Sequence, residues 1–288
     1  MNTFFLDRLN SEPHALAFAG QSTPWPVTLA DQSANPVLDE ALHTHADAAQ
    51  ALLYPVSADL LATTGRPVDL FGFEPNPARL GAAAAASASV PGIALAQLGA
   101  LLDAASLGYN PAVAKPVAVL GHSQGVLAVH MVQAIVEAGS IEAASAQIDE
   151  ILAIATLIGV AGTRQARQLG LAARHGEATP MLSVKDITRA QVDALIKRVS
   201  GARGPIAVAV TNSATHYVLS GYPEDLAAFG VEVAKEHKHQ AKLREEKVRG
   251  GRVFEPVLEY LDVTLPFHSP LMAEAVSQAV SWAESCGI

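Results

Sequence analysis

The stretch VLGHSQGVLAVHMVQA, residues 119–134, sets Ser123 between two glycines, after an apolar strand-like run and before a helix-like one. Gly121-His122-Ser123-Gln124-Gly125 fits the G-x-S-x-G pattern of a nucleophile elbow. Flanking glycines let the chain turn sharply from strand into helix, which leaves the hydroxyl exposed at the helix N-terminus. There the backbone N–H of Gln124 would face an oxyanion developing on an attacked carbonyl. The bare pattern also occurs in ordinary strand-to-helix turns; the elements on either side favour the elbow.

A serine hydroxyl is a weak nucleophile until a base takes its proton, so a histidine must come from elsewhere in the chain. Ten are present. His122 sits within the elbow, where its side chain should point away from the side that presents Ser123. His43, His45, His237 and His239 lie in polar helical stretches. His268, in LPFHSPLM, follows a strand end and is bracketed by Pro266 and Pro270, which hold its backbone rigidly and suit it to act as a base. Taken alone, His268 reads more readily as a satisfied loop histidine.

These residues need a scaffold. HALAFAGQSTPW (14–25) reads as a short buried strand entering a glycine turn, and the following ninety residues read as helical, with alanine-rich segments at 37–53 and 94–106. KPVAVLGHSQG (115–125) gives strand, turn and helix start, as expected of a parallel sheet with crossover helices. IDEILAIATLIGVAG (148–162) is a second long apolar helix. From about residue 178 the order becomes β-α-β-β-α-β: TPMLSVK, a helix capped by Thr188, GPIAVAVTNS, THYVLSG, the helix YPEDLAAFGVEVAKEH, and VLEYLDVTLPF. That is the split pattern of a ferredoxin-like unit. The expected fold is α/β: an α/β-hydrolase-like large subdomain over residues 1–177 and 265–288, with an inserted ferredoxin-like subdomain over 178–264.

Composition narrows the function classes. The 288 residues are 50% hydrophobic and only 16% charged, sparse charge that fits a surface partly covered by other protein. A net charge of −9 argues against a general nucleic-acid binder, which needs a basic face. The single cysteine, Cys286, cannot form an internal disulfide and suits a reducing interior. Asp7, Arg8 and Glu12 interrupt any signal-peptide pattern, so the expected localisation is cytoplasmic. Gly81 to Leu102 is uncharged over a length that could span a bilayer. Its small residues and the Pro91-Gly92 interruption favour two packed helices joined by a turn, and no membrane partner is expected.

In combination, GHSQG, PMLSV, TNSATHYVLSG and LPFHSPLM, in this order and after an early FAGQ, resemble the acyl-CoA:acyl-carrier-protein acyltransferase domains. The resemblance is to the acetyltransferase domain of type I fatty acid synthases of the fungal and mycobacterial kind, and covers most of Phe18 to Met272. It implies that Ser123 is the nucleophile and His268 its base, and that the amides of Gln124 and Gln21 form the oxyanion hole. Asn212 matches a position lining the acyl pocket, although alone it reads equally as a turn-capping asparagine. His122 and Ile158 complete the substrate-binding set. No permanently bound cofactor and no metal is implied, only a coenzyme A thioester as substrate. The implied partners are an acyl carrier protein, acetyl-CoA and the remaining domains of a larger synthase.

Two departures from the family pattern bear on substrate. Free-standing malonyl transferases usually carry glutamate directly after the elbow, where Val126 stands here. Malonyl-loading relatives also hold the substrate carboxylate with an arginine on the long helix after the elbow, a bidentate pair that a buried anion requires. Between Ser123 and Arg164 this chain has neither arginine nor lysine, and Ile158 falls near the family position. Only twenty residues follow His268, so the chain reads as a segment of a longer polypeptide and no third member of a triad is named. Residues 235–252, KEHKHQAKLREEKVRGGR, read as a solvated helix and loop or as a basic docking edge. The expected function is transfer of acetyl from coenzyme A, through an acyl-serine, to the phosphopantetheine thiol of a carrier protein. The alternatives are a malonyl or dual-specificity transferase, a serine hydrolase or thioesterase, and a binding module without turnover.

Overall fold

The computed structural model describes residues 8–21, 24–70, 86–171, 178–245 and 254–288 of the chain. Contacts divide it into two compact units, Met1–Arg164 with Val276–Ile288, and Gln165–Ala275.

The first unit is built on two parallel strands, β1 (Ala15–Phe18) and β2 (Ala118–Gly121), in a register that pairs Phe18 with Gly121. Parallel strands need a long crossover. Here the crossover includes α1 (Trp25–Ser33), α2 (Pro36–Leu52), α3 (Ser57–Thr64), α4 (Ala86–Ser106) and the short α5 (Pro111–Ala114). After β2 come α6 (Val126–Ala138) and α7 (Ser145–Gln168). The alanine-rich segments are helical as their composition suggests. β1, however, alternates between exposed and half-buried residues and is not the buried strand expected, because this sheet has only two strands among the described residues.

The uncharged stretch behaves differently from expectation. Residues 81–85 lie outside the described set, and from Ala86 onward α4 runs through Pro91 and Gly92 as one helix. Proline removes the ladder donor to the carbonyl four residues back, that of Ser87; beside it the ring of Trp25 lies where a Cβ on Gly92 would stand, and the Gln124 side chain donates to the Val90 carbonyl. Both α4 and α7 have the length and hydropathy of membrane-crossing helices, and both are mostly buried within the protein, as core helices are.

One buried polar contact ties α2 to α7. His45, expected in a polar stretch, is buried, and its Nδ1 lies 2.6 Å from Asp149 Oδ1, also buried. Burial pushes the Asp149 carboxyl above its ordinary value, while the bond to His45 pulls it back.

The second unit is a four-stranded antiparallel sheet of β3 (Met181–Lys185), β4 (Ala207–Ser213), β5 (His216–Ser220) and β6 (Val257–Tyr260), in the order β4-β5-β3-β6. With α8 (Arg189–Ile196) after β3 and α9 (Pro223–Glu245) after β5, this is the β-α-β-β-α-β arrangement read from the sequence. Thr188 caps α8 through a full capping box with Gln191. Strand alternation divides the side chains between two faces. Leu182, Val184, Tyr217 and Leu219 pack in one cluster with Val192, Leu195, Leu226 and Phe229 of α8 and α9. Met181, Val218 and Val263 form a smaller cluster with Phe267 against it. A last helix, α10 (Ala273–Cys286), returns the chain to the first unit, where Trp282 Nε1 donates to Asp59.

The His45–Asp149 contact yields a stability prediction. Asp149→Ala leaves a ring nitrogen of the buried His45 without its partner and should lower unfolding free energy by about 1–3 kcal/mol, measured by urea denaturation. Asp149→Asn, which can still accept from the ring N–H, should cost less than half of that. Equal losses would show that the acceptor oxygen contributes nothing.

Candidate active site

Ser123 stands at φ +52°, in the left-handed region that side chains rarely adopt, within the 3-10 turn Ser123–Gly125 joining β2 to α6. Such a backbone costs about 1–2 kcal/mol for a residue other than glycine. The turn is held by His122 N–H donating to Phe18 O at 2.9 Å and by Gly125 N–H donating to His122 O at 2.9 Å. Glycine is required on both sides of Ser123 by crowding. A Cβ on Gly121 would come 2.5 Å from the Gly125 carbonyl carbon and from Val126 N, and a Cβ on Gly125 would overlap the Phe18 carbonyl oxygen. The elbow expected from the sequence is therefore present as a backbone conformation.

The early glycine-glutamine turn lies against it. A Cβ on Gly20 would stand 2.6 Å from His122 O, 3.2 Å from Ser123 Cβ and 3.4 Å from the Gln124 amide nitrogen. Residues about a hundred positions apart thus share one corner, to which Gln21 and Gln124 also bring their side chains. Gln21 Nε2 donates to Gln124 Oε1 at 2.5 Å, Gln124 Nε2 donates to Val90 O at 2.5 Å, and Ser89 Oγ lies 3.3 Å from Gln21 Oε1. Gln97 Nε2 anchors the same turn through Ala19 O at 2.7 Å. The elbow pattern points to the Gln124 backbone amide, and the family resemblance alone implies that of Gln21. Neither reveals the side-chain network, whose members lie on three separate elements.

The remaining candidates in the first unit are peripheral to that network. His122 is exposed, and Ile158 on α7 is 36% exposed. No lysine or arginine lies on α6 or on α7 before Arg164.

His268 and Asn212 belong to the second unit. His268 is exposed and stands at φ +56°, another left-handed residue, just before the 3-10 turn Pro270–Met272. Ser269 Oγ donates to Pro266 O at 2.7 Å and closes this loop from inside. Phe267 packs on the cluster of Met181, Val218 and Val263, which fixes the chain on the sheet face opposite α8 and α9. Asn212, exposed near the end of β4, carries its amide 3.4 Å from His216 Nε2, and the buried Ser183 hydroxyl lies 3.1 Å from the same nitrogen. His216 and Ser183 were not among the sequence candidates. The available signal was the four-residue spacing of Asn212 and His216 across a tight hairpin, where Ser213 pairs with His216. The basic run 235–252 supplies the end of α9, where Lys235 pairs with Glu232 and His237 Nδ1 bonds Phe254 O; residues 246–253 lie outside the described set.

The strain at Ser123 is measurable. Ser123→Gly relieves about 1–2 kcal/mol of backbone strain and forfeits about 0.5–1 kcal/mol through the freer unfolded chain, so a net gain in stability is expected. Gly125→Ala should cost at least twice as much as Gly139→Ala. The obstruction at Gly125 is a backbone carbonyl, whereas Gly139, at φ +91°, has open space around it and only a conformational penalty. Chemical denaturation of the three variants checks both; a destabilised Ser123→Gly would remove the strain argument.

Comparison with known proteins bears on this arrangement. Residues 180–260 match the family model described as the fatty acid synthase central AT domain. The fatty acid synthase beta subunit hexB of Dothistroma septosporum is 27% identical over 169 residues, which are 54% of this chain and 9% of that protein. Among solved structures, MCAT from Mycobacterium tuberculosis superposes with a TM-score of 0.56 at 20% identity, over 95% of this chain and 70% of that one. The malonyl CoA-acyl carrier protein transacylase of Coxiella burnetii gives 0.56 at 20% identity, over 94% and 68%. The corresponding Xanthomonas oryzae enzyme gives 0.54 at 20% identity, over 96% and 69%. The chain has the α/β acyltransferase fold of these transacylases, with a small parallel sheet in one unit and a four-stranded antiparallel sheet in the other.

Proposed function

We propose that the protein is an acyl-CoA:acyl-carrier-protein transacylase of fatty acid synthesis that transfers acetyl. The observation carrying the proposal is Ser123 held at φ +52° in a glycine-flanked strand-to-helix turn, with the Gly20 turn packed against the Gln124 amide. The shared fold and the family match over residues 180–260 support the reading.

In the proposed mechanism Ser123 Oγ attacks the thioester carbonyl of acetyl-CoA while His268 accepts the hydroxyl proton. The amides of Gln124 and Gln21 stabilise the tetrahedral oxyanion. The intermediate collapses by breaking the C–S bond; the coenzyme A thiolate leaves with the proton from His268, and acetyl remains on the serine oxygen. A carrier-protein pantetheine thiol, deprotonated by His268, then attacks this ester and leaves as the acetyl thioester, restoring Ser123. No resident cofactor enters these steps. Asn212, Ile158 and His122 are assigned to the substrate, and the setting is a larger cytoplasmic synthase whose other domains supply the carrier.

The choice of acetyl rests on the absence of lysine and arginine from α6 and from α7 before Arg164. A malonyl carboxylate beside Ile158 would be desolvated without a guanidinium partner, at a cost of about 3 kcal/mol, or roughly 100-fold in kcat/KM. Acetyl incurs no such penalty.

Ser123→Ala and His268→Ala should each abolish acyl loading, read by intact-protein mass spectrometry after mixing with acetyl-CoA. The double variant should be little worse than either, since residues acting as one unit are non-additive. Competition between acetyl-CoA and malonyl-CoA should favour acetyl by about 100-fold. Equal loading would assign a malonyl or dual-specificity transferase instead. An adduct lost as fast in buffer as with pantetheine would assign a hydrolase.

A further inference from the structure

We propose that the side chain of Gln124 is a positioning residue, which ties the Gln21 turn to the elbow and so keeps the two oxyanion-binding amides in register. The inference rests on the reading of Ser123 as nucleophile and of the Gln21 and Gln124 amides as oxyanion donors. It assigns to the side-chain amide a task separate from that of the Gln124 backbone.

The side-chain amides of Gln21 and Gln124 form one chain of hydrogen bonds. It runs from Ser89 on α4 to Gln21 Oε1, from Gln21 Nε2 to Gln124 Oε1, and from Gln124 Nε2 to the Val90 carbonyl. Gln124 therefore uses both ends of its amide, one on the turn and one on α4. Gly20 has no side chain and must lie directly against His122 and Ser123, and Ala19 is held through its carbonyl by Gln97. β1 ends at Phe18, so the strand ladder does not reach Gln21. An oxyanion donor helps only when aimed where the charge develops, and its contribution falls steeply with displacement. A half-buried amide pair, with each partner also bonded to α4, gives that aim a fixed reference.

Three variants separate the two parts of this device. Gln124→Met keeps side-chain length and backbone and removes both hydrogen bonds. Gln124→Glu keeps an acceptor for Gln21 Nε2 and loses the donor to Val90 O. Gln21→Met removes the same contact from the other side.

The test uses the full chain and measures acylation of Ser123 by 4-nitrophenyl acetate and by its thionoester analogue, whose sulfur is a poor match for amide donors placed to receive oxygen. Gln124→Met should slow acylation by the oxygen ester roughly tenfold, less than the ~10²–10³-fold for losing a donor outright. It should lower the oxygen-over-sulfur preference by a similar factor, with KM unchanged. Gln21→Met should do the same, Gln124→Glu should recover part of the loss, and the Met double variant should be no worse than either single one. Rates that fall equally for both esters, or do not fall, would overturn the positioning role, since a merely structural side chain leaves the preference unmoved. If Gln124→Met does not fold, Gln21→Met carries the same comparison. Acylation that persists in Ser123→Ala would overturn the nucleophile reading and this proposal with it.

Discussion

Crowding of backbone at one corner is the constraint on which the first unit depends. The β1–β2 register places Phe18 beside Gly121, and the turn after β2 then brings Gly125 so close to the Phe18 carbonyl that no side chain fits between them. Ser123 takes up the remaining curvature in a left-handed conformation. The strain of about 1–2 kcal/mol is small beside what holds the following helix. Leu127, Ala128, Met131, Val132 and Ile135 of α6 are all buried, and the larger of these side chains contribute about 1.5–3 kcal/mol each. Packing of α6 thus over-determines the elbow, so the strained serine persists.

Polar groups at this corner are arranged around the same crowding. Because Gly20 must lie against the elbow, the next residue, Gln21, falls within reach of Gln124 and of α4. Pro91 would ordinarily disrupt α4 here. The helix instead continues, with Trp25 against Gly92 and Gln124 on the Val90 carbonyl, so one of the contacts that holds the corner also joins it to this part of α4.

The second unit solves a different problem. Its sheet covers one face with α8 and α9 over a ten-residue apolar cluster. The other face carries a small apolar patch together with Ser183 and His216, leaving room for polar residues. His268 follows Phe267, which is anchored on that patch, and the loop is tightened by Ser269 on Pro266. Asn212 takes its contact from the neighbouring strand, through His216.

Much of this was legible in the sequence because it is encoded over a few residues. The glycines around Ser123, the Thr188 cap with Gln191 three positions on, and the alternation of strands and helices after residue 178 are local patterns with local physical causes. Other features depend on which elements meet. Proline and glycine at 91 and 92 read as a break, yet the helix runs through; His45 lies in a stretch that reads as polar and helical, yet it is buried on Asp149, 104 residues away. The side-chain bond between Gln21 and Gln124, 103 residues apart, follows from no spacing. The sequence by itself determined the residue types, the turn chemistry and the order of elements, since each follows from steric and hydrogen-bonding preferences within a turn or two of chain. Tertiary structure alone decided the partners of the buried polar groups, because a donor's acceptor is set by whichever distant backbone the packing brings within 3 Å or so.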